Sequence, residues 1–525
     1  MLPLVSRSDM RSIDAAAIGA DAETGLRYME RAARALAQQA MQMLPRCDTA
    51  VVAVVCGKGN NGGDGYLAAA YLREQGYRAV CYALCVPDNL TGEAHMAAEL
   101  FCAQGGAIVT VKGAGQLEEL GRAGLIIDAV LGTGFSGNPQ GIAADAIEAM
   151  NNSAVPILAA DTPSGLDGDS GLPATPCVRA AATVTMGFIK TGMLFYPGRE
   201  LTGALSVADL GYPRDCQPRS TLRLSYVERS DITPLLPPRR PGGSKFDHGV
   251  VSLVSGSQGM CGATTLAAMG ALRCGCGMVH AWVPRSLTAP LSIKVTEAVI
   301  HELGETPDGT LSLKGEGTIR AALPRSRVLC IGPGLSHHPE TAELVRRVVA
   351  TSPVPVVLDA DGLNAYRDCS TELARHTAPL VLTPHRGEWE RLFGSLPCDP
   401  LDSFAALYDA ARAVEGIIVL KGGPTCIATP AGEGYVIDTG TSALATAGTG
   451  DILAGVIASF IAQGSSPLEA TLAAVFVHGL AGRTAARSRG EHGTIASDVV
   501  DALPAAVLEL LDPALAPSPN RARHP

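Results

Sequence analysis

The stretch Ala445-Thr446-Ala447-Gly448-Thr449-Gly450-Asp451-Ile452 describes a chemistry in its residue types. Two glycines stand before an acid, and an apolar run from Ile452 to Ile461 follows, the pattern of a loop that opens a helix. Gly448 and Gly450 can take positive φ and bring the backbone close to a ligand. The unpaired N–H groups of a first helical turn, with the helix dipole, then seat phosphate oxygens. Asp451 has two readings. It caps the helix, since a carboxylate suits an N-terminus, or it is an acid–base residue facing a substrate beside an anion hole.

A second set of loops carries acids in the first half of the chain. Gly57-Lys-Gly-Asn-Asn-Gly-Gly-Asp-Gly65 satisfies the dinucleotide fingerprint G-x-G-x-x-G between a Val-rich run and a helix. Asp64, however, lies in the turn where a pyrophosphate would sit, and Asn60 and Asn61 add side-chain carbonyls. Oxygens converging on a turn suit a cation or a polar ring; a plain Gly-rich turn is the alternative. Asp128 precedes Gly132, Thr133 and Gly134, and Asp161 precedes Ser164, each acid at the end of an apolar run. Lys190 could add an ammonium nearby, although a lysine at such a place is ordinarily exposed.

The second half repeats the arrangement. Ser255 to Ala263 is Gly-rich after the run Val250–Val254, and Val328 to Gly334 ends in Gly-Pro-Gly. Asp359, Asp361 and Asn364 follow Val356–Leu358, and His385 and Glu388 stand at a helix start. Lys421 stands where an ammonium could meet a phosphate.

Elements that could position these groups follow from periodicity. Apolar residues recur at helical spacing over 9–43, and Pro45 stops the run. Strands are expected at 50–56, 79–84, 125–130, 155–160 and 182–186, with a helix from Tyr66 to about Gln75 and another from Thr264 to Cys274. Alternating strands and helices predict α/β sheets with helices on both faces. In a parallel sheet the carboxyl ends of the strands share one edge, so the acid-bearing loops of each half meet in one crevice. At 525 residues the chain exceeds one ordinary domain. Pro218, Pro234, Pro237, Pro238 and Pro241 with Arg239 and Arg240 read as a stiff connection between Cys216 and Gly243. Past Leu511 the tail, with Pro513, Pro517 and Pro519, reads as disordered.

Composition narrows the classes. A net charge of −10 argues against non-specific nucleic-acid binding. Fourteen cysteines without a C-x-x-C pair read as reduced thiols of a cytoplasmic protein; metal binding at Cys274 and Cys276 is the alternative. Met1 to Met10 lacks the apolar core of a signal peptide, and the apolar helix after Asp451 is too short to span a bilayer.

Asn60-Asn-Gly-Gly-Asp64, Asp128 with Leu131-Gly-Thr-Gly134, and Asp161-Thr-Pro-Ser-Gly-Leu-Asp167 together resemble the NAD(P)H-hydrate epimerase family. The resemblance implies a Rossmann-like three-layer αβα domain over 1–217, interconverting the R and S forms of hydrated NADH and NADPH. It implies substrate contacts at Asn60, Asn61, Gly62, Gly63, Asp64, Gly132, Thr133, Gly134, Phe135, Ser136, Gly137, Asn138 and Asp161, with Asp161 catalytic. It implies a K+ ion at Asn61, Asp128 and Ser164.

The series from Lys245 to Asp498, ending in Gly448-Thr-Gly-Asp451, resembles the ribokinase superfamily, and within it the ADP/ATP-dependent NAD(P)H-hydrate dehydratases. That implies a ribokinase-like α/β domain over 226–511 that takes water from the S hydrate, with ADP as cosubstrate and Mg2+. Substrate contacts are implied at Ala263, Gly334, His385 and Asp451. Nucleotide contacts are implied at Lys421, Gly422, Gly423, Pro424, Thr425, Ala447, Gly448, Thr449 and Gly450. The chain departs from that branch at Phe246-Asp-His-Gly, at Arg386, and in lacking an Asn within Asp438 to Leu444. A homo-oligomer acting on NADHX and NADPHX, with neither nucleic acid nor membrane as partner, completes the expectation. The alternatives are a small-molecule kinase fused to a regulatory nucleotide-binding domain, and a non-catalytic sensor of modified dinucleotide in the first half.

Overall fold

The computed structural model describes residues 1–19, 22–44, 50–213, 216, 222–239 and 241–512. Pro45, Pro218, Arg240 and the tail from 513 onward, which carry sequence expectations, lie outside the described residues. The chain divides into two compact units, the first Leu2–Arg223 and the second in the main from Leu224 onward.

In the first unit β1 (Leu2–Val5) leads into α1 (Arg7–Ile18) and α2 (Ala22–Met43). Ser6 and Asp9 form a capping box that starts α1, and Gly19 at φ +61° ends it. The single helix expected over 9–43 is therefore two. The strands β2 (Val51–Cys56), β3 (Arg78–Ala83), β4 (Ala107–Thr110), β5 (Leu125–Ala129), β6 (Ile157–Ala160) and β7 (Ala182–Met186) follow, then β8 (Ile189–Lys190) and β9 (Ala204–Ala208). A parallel sheet runs in the order β4-β3-β2-β5-β6-β7-β9, while β8 pairs with β1. Strand alternation separates two cores. Val52, Val54 and Cys56 meet Leu36, Ala40, Leu67 and Leu72 of α2 and α3 (Asn60–Glu74). Ala53 and Val55 meet Ile147 and Met150 of the helix Ile142–Asn152. The result is a three-layer αβα unit.

The helix expected from Tyr66 starts six residues earlier, at Asn60. Asn and Gly are poor helix formers, but packing that only glycine allows overrides the propensity. A Cβ on Gly62 would stand 2.1 Å from the Gly57 carbonyl, and one on Gly57 2.0 Å from the Val130 carbonyl. The order of β3, β2 and β5 reverses at β2, so a crevice opens at the carboxyl ends of β2 and β5.

The second unit opens with β10 (Arg223–Tyr226), then β11 (Val250–Val254), β12 (Met278–Pro284), β13 (Val299–Leu303), β14 (Val328–Ile331), β15 (Val356–Leu358) and β16 (Leu380–Leu382). β17 (Ile417–Leu420), β18 (Thr425–Ala428) and β19 (Glu433–Ile437) complete it. The order is β13-β12-β11-β14-β15-β16-β17-β18-β19-β10, parallel from β13 to β17 and antiparallel from β17 to β19. Its switch point lies between β11 and β14. The proline-bearing stretch is built into this unit: Val227, Ile232 and Leu236 are buried in its core.

The helix Thr449–Ala462 is apolar all round and buried over nearly its whole length. It crosses Cys261–Arg273, a helix that begins three residues before the expected Thr264. Their backbones touch through glycine: a Cβ on Gly455 would meet the Ala267 carbonyl at 2.1 Å, and one on Gly270 the Ile452 carbonyl at 2.7 Å. That crossing fixes the amino end of Thr449–Ala462 over the strand ends.

Candidate functional site

In each unit expected residues gather around an acid, Asp161 in the first and Asp451 in the second. In the first, a cavity of about 510 Å³ is lined by Asn60, Asn61, Asp64, Gly132, Thr133, Gly134, Phe135 and Asp161, all expected there. Gly62 and Gly63 lie beneath it, packed against Gly57 and against Met29 and Ala94. Ser136, Gly137 and Asn138 are exposed beyond it, Asn138 accepting from the Thr175 N–H at 3.2 Å.

Asp161 follows β6 in the left-handed region, φ +67°, which strains a non-glycine residue. The turn aims its carboxylate at two loops. Oδ2 accepts from the Thr133 N–H at 2.9 Å and hydroxyl at 2.5 Å. Oδ1 accepts from the Lys190 ammonium and from the Met186 N–H. Burial alone would raise this carboxyl, but Lys190 and Thr133 outweigh it and hold it below the usual carboxylate range. Lys190, expected at the surface, is fully buried; its other bonds go to Thr185 Oγ1 at 2.9 Å and the Met186 carbonyl at 3.1 Å. An ammonium is stable there because it has three acceptors, one of them charged. Asp64 is opposite in character: burial, then the charges of Asp161 and Asp14, push it well above the ordinary range.

Arg7 at the start of α1 holds the Gly-Thr-Gly-Phe loop in place. Its guanidinium donates to the Thr133 carbonyl at 2.9 Å, to the Phe135 carbonyl and to Asp167 at 2.7 Å.

Asp128 and Ser164 meet below this loop. Ser164 donates its hydroxyl at 2.6 Å and its N–H at 2.8 Å to the fully buried Asp128 carboxyl, which burial nonetheless pushes up to about 6. Both polar atoms of the Asn61 amide are buried without a hydrogen-bond partner. A buried carboxyl met only by neutral donors and an orphaned amide oxygen are a donor set for a hard cation. These residues fit K+.

In the second unit Gly448 takes φ +93° as the N-cap of Thr449–Ala462, with no side-chain cap. Asp451 stands in the third helical position and makes no cap, which removes the capping reading. Among the described residues the N–H groups of Gly450 and Asp451 take no partner, leaving the amino end open to an anion. The Lys421 ammonium sits beside Gly450, 3.3 Å from where a Cβ would stand. It bonds Asp359 at 2.7 Å and lies 3.7 Å from Glu388. Burial first, then the charge of Asp359, push the Asp451 carboxyl up to about 7, although Lys421 opposes them. A carboxyl that changes protonation near neutral pH is matched to proton transfer.

His385 caps the helix Arg386–Phe393, its ring accepting from the Gly387 and Glu388 N–H groups, and its backbone bridges to Lys421. Gly422, Gly423 and Pro424 lie in the turn from β17 to β18, and Thr425 opens β18. Ala263 and Gly334 adjoin: a Cβ on Gly334, at φ +64°, would lie 2.9 Å from that of Ala263. Ala447 is exposed on the loop before the helix and Thr449 is buried.

The site residues that sequence reasoning does not single out are Asp14, Tyr212 and Arg7 in the first unit and His478 in the second; Lys190, Asp359 and Glu388 are singled out without an assigned contact. Asp359 and Glu388 carried the same signal as Asp451, an acid just beyond a strand or at a helix start. His478, buried beside the backbone of Thr449, carried none. Cys274 and Cys276 are buried thiols. Among the described residues no helix is long and apolar enough to cross a membrane.

Comparison with known proteins separates the chain at the same two regions. Residues 25–192 match the family model of the YjeF-related protein N-terminus, and residues 251–505 that of NAD(P)H-hydrate dehydratase. A bifunctional NAD(P)H-hydrate repair enzyme of Moorella thermoacetica is 39% identical over 461 residues, covering 86% of each chain. One of Escherichia coli is 32% identical over 453 residues, 86% of this chain and 84% of that one. Among solved structures, the ADP/ATP-dependent NAD(P)H-hydrate dehydratase of Bacillus subtilis, co-crystallised with ATP/Mg2+, is 29% identical. It covers 54% of this chain and 97% of its own, at a TM-score of 0.46.

Proposed function

The chain belongs to the family of bifunctional NAD(P)H-hydrate repair enzymes, and from that premise we propose a division of labour between its two crevices. The first unit interconverts R and S hydrates of NADH and NADPH around Asp161. The second removes water from the S hydrate around Asp451, with ADP, taken up with Mg2+, as cosubstrate. Because the first feeds the second, one chain repairs both epimers.

The observation that carries the second assignment is the environment of Asp451. Its carboxyl titrates near neutrality next to two free N–H groups and the Lys421 ammonium. The N–H groups and Lys421 receive nucleotide phosphate. Asp451 exchanges a proton with the hydrate, at C5 or at the departing hydroxyl. In the first unit Asn61, Asp128 and Ser164 hold K+, whose charge compensates the buried carboxyl. Arg7 and Asp161 keep the Gly132–Phe135 loop against the substrate.

The test is an absorbance assay on separated R and S hydrates with ADP, ATP or neither. ADP-dependent recovery of NADH from S alone, and from R only while the first unit is active, is the expected outcome. Transfer of phosphate to a small acceptor would establish the kinase reading instead. A hydrate deuterated at C5 distinguishes the two proton roles of Asp451 by its isotope effect.

A further inference from the structure

Helix α1 reaches the first cavity through Met10, Asp14 and Ile18. Asp14 Oδ1 accepts from the Tyr212 hydroxyl at 2.6 Å. Tyr212, which lines the same cavity, is stacked on Phe188 at 5.9 Å and packed against Tyr28 at 5.1 Å. The dyad is thus held by aromatic packing, and the second carboxyl oxygen of Asp14 takes no hydrogen bond among the described residues. The titratable groups acting on Asp14 are Tyr212, Lys190 and Asp161, and Asp64 responds to it in turn. Burial raises the Asp14 carboxyl more than Tyr212 and Lys190 lower it.

We propose that Asp14 is a second acid–base residue of this cavity, in contact with the substrate, and that Tyr212 positions it. The inference rests on the epimerase reading of the first unit. Inverting one carbon requires a group to leave from one face and another to enter on the opposite face, so a single carboxyl cannot serve both without the ring turning over. Asp161 has both oxygens committed, to Lys190 and Met186 and to Thr133, and rests ionised; in one direction it takes the proton of the entering water, and in the reverse direction it returns that proton while Asp14 takes one. Asp14 has an oriented carboxyl with a free oxygen. Asp64, also in the cavity, has no comparable anchor among the described residues.

At C6 of the hydrated ring, Asp14 gives its proton to the departing hydroxyl. The C6–O bond breaks with its electron pair going to oxygen, and the N1 lone pair closes a C6=N1 bond. Water adds to the other face, the C6=N1 pair returns to N1, and the added water loses a proton to Asp161. One water leaves and one enters, no redox change occurs, and proton exchange through solvent resets the two carboxyls.

Interconversion of purified R and S hydrates, followed by chromatography, tests this in the full chain. Asp14→Asn keeps an acceptor for Tyr212, so a merely structural tether predicts an unchanged rate. Proton transfer predicts a loss on the order of 10²–10⁴-fold in kcat with KM little changed. Tyr212→Phe keeps the aromatic packing but removes the donor that lowers the Asp14 carboxyl, so its limb of the pH–rate profile moves to higher pH. Wild-type interconversion with Asp14→Asn at wild-type rate overturns the role of Asp14 and leaves the epimerase reading standing. No enzymatic interconversion by the wild type overturns the reading itself. Should Asp14→Asn fail to fold, an unmoved limb in Tyr212→Phe overturns the proposal.

Discussion

Asp161 follows a parallel strand in the first unit and Asp451 stands in the first turn of a helix in the second, and desolvation is the largest influence on both. Their proton affinities nevertheless diverge. Asp161 is met by an ammonium, a hydroxyl and two N–H groups, and stays ionised. Asp451 has no side-chain bond among the described residues and feels Asp359 more than Lys421, which is itself bonded to Asp359. Burial sets the stakes, and the partners decide the charge. An acid whose partners are committed elsewhere is free to titrate.

The sharpest way to break this contrast is Asp451→Asn. Dehydration of the S hydrate is expected to fall on the order of 10²–10⁴-fold, while ADP binding and epimerisation stay near wild type and the melting temperature does not fall, because Gly448 and not Asp451 caps the helix. Dehydration at near wild-type rate would return Asp451 to a passive place in the first turn.

Lys190→Met tests the other side. It strands Asp161 as an unpaired buried charge, with an expected loss of about 3–5 kcal/mol, read by denaturant unfolding of the first unit. The double variant with Asp161→Asn should regain much of that stability without regaining epimerisation. A single variant as stable as wild type would show that the ion pair does not control the ionisation of Asp161.

The pH dependences should have opposite signs. The Asp451 pKa is raised on folding to about 7, so its contribution to stability is present below its unfolded value and is lost as pH rises through about 7. The Asp161 pKa is lowered, so its contribution is present above its unfolded value and is lost as pH falls through the folded one. Unfolding of the second unit should lose this dependence between mildly acidic and neutral pH in Asp451→Asn, the raised carboxyls of Asp128 and Asp64 lying in the first unit. A variant that keeps it would assign that titration to another group.

Asp128→Ala should slow epimerisation and weaken its response to added K+, leaving dehydration unchanged. Rates indifferent to both the ion and the substitution would remove K+ from the first site. The smallest effect concerns the boundary. We expect the units to fold separately, and a second-unit fragment from Leu222 to melt a few degrees above one from Tyr226, because the shorter piece loses most of β10 and the buried Leu224. Equal melting temperatures would make that strand dispensable.

Sequence reasoning reached the acids that end strands, because a strand's carboxyl end is a local feature and a parallel sheet gathers such ends. It expected Asp128, Asp161, Ser164 and Lys421 in the crevices for that reason, and Asp451 because two glycines and an apolar run mark a loop that opens a helix. It missed what depends on distant chain. Asp14 and Tyr212 are 198 residues apart, and Arg7 and Asp167 are 160. In sequence Lys190 stays between a site ammonium and an exposed lysine, because nothing local announces the three acceptors that bury it. The start of α3 at Asn60 was hidden by propensity: its first turn is written in residues that favour turns, and the fit of Gly57 and Gly62 makes them helical.

The glycine contacts that press Thr449–Ala462 onto Cys261–Arg273 also fix how the two ends of one helix meet heavy water. Amide protons in its interior can reach solvent only when the second unit opens globally, and should exchange at the slowest rates the unit shows. Those of Gly450 and Asp451, unbonded at the open end, should exchange fast in the empty protein. Nucleotide phosphate bonded there would slow these two amides while leaving the helix behind them unchanged. One helix thus carries an occupancy signal beside its own internal reference.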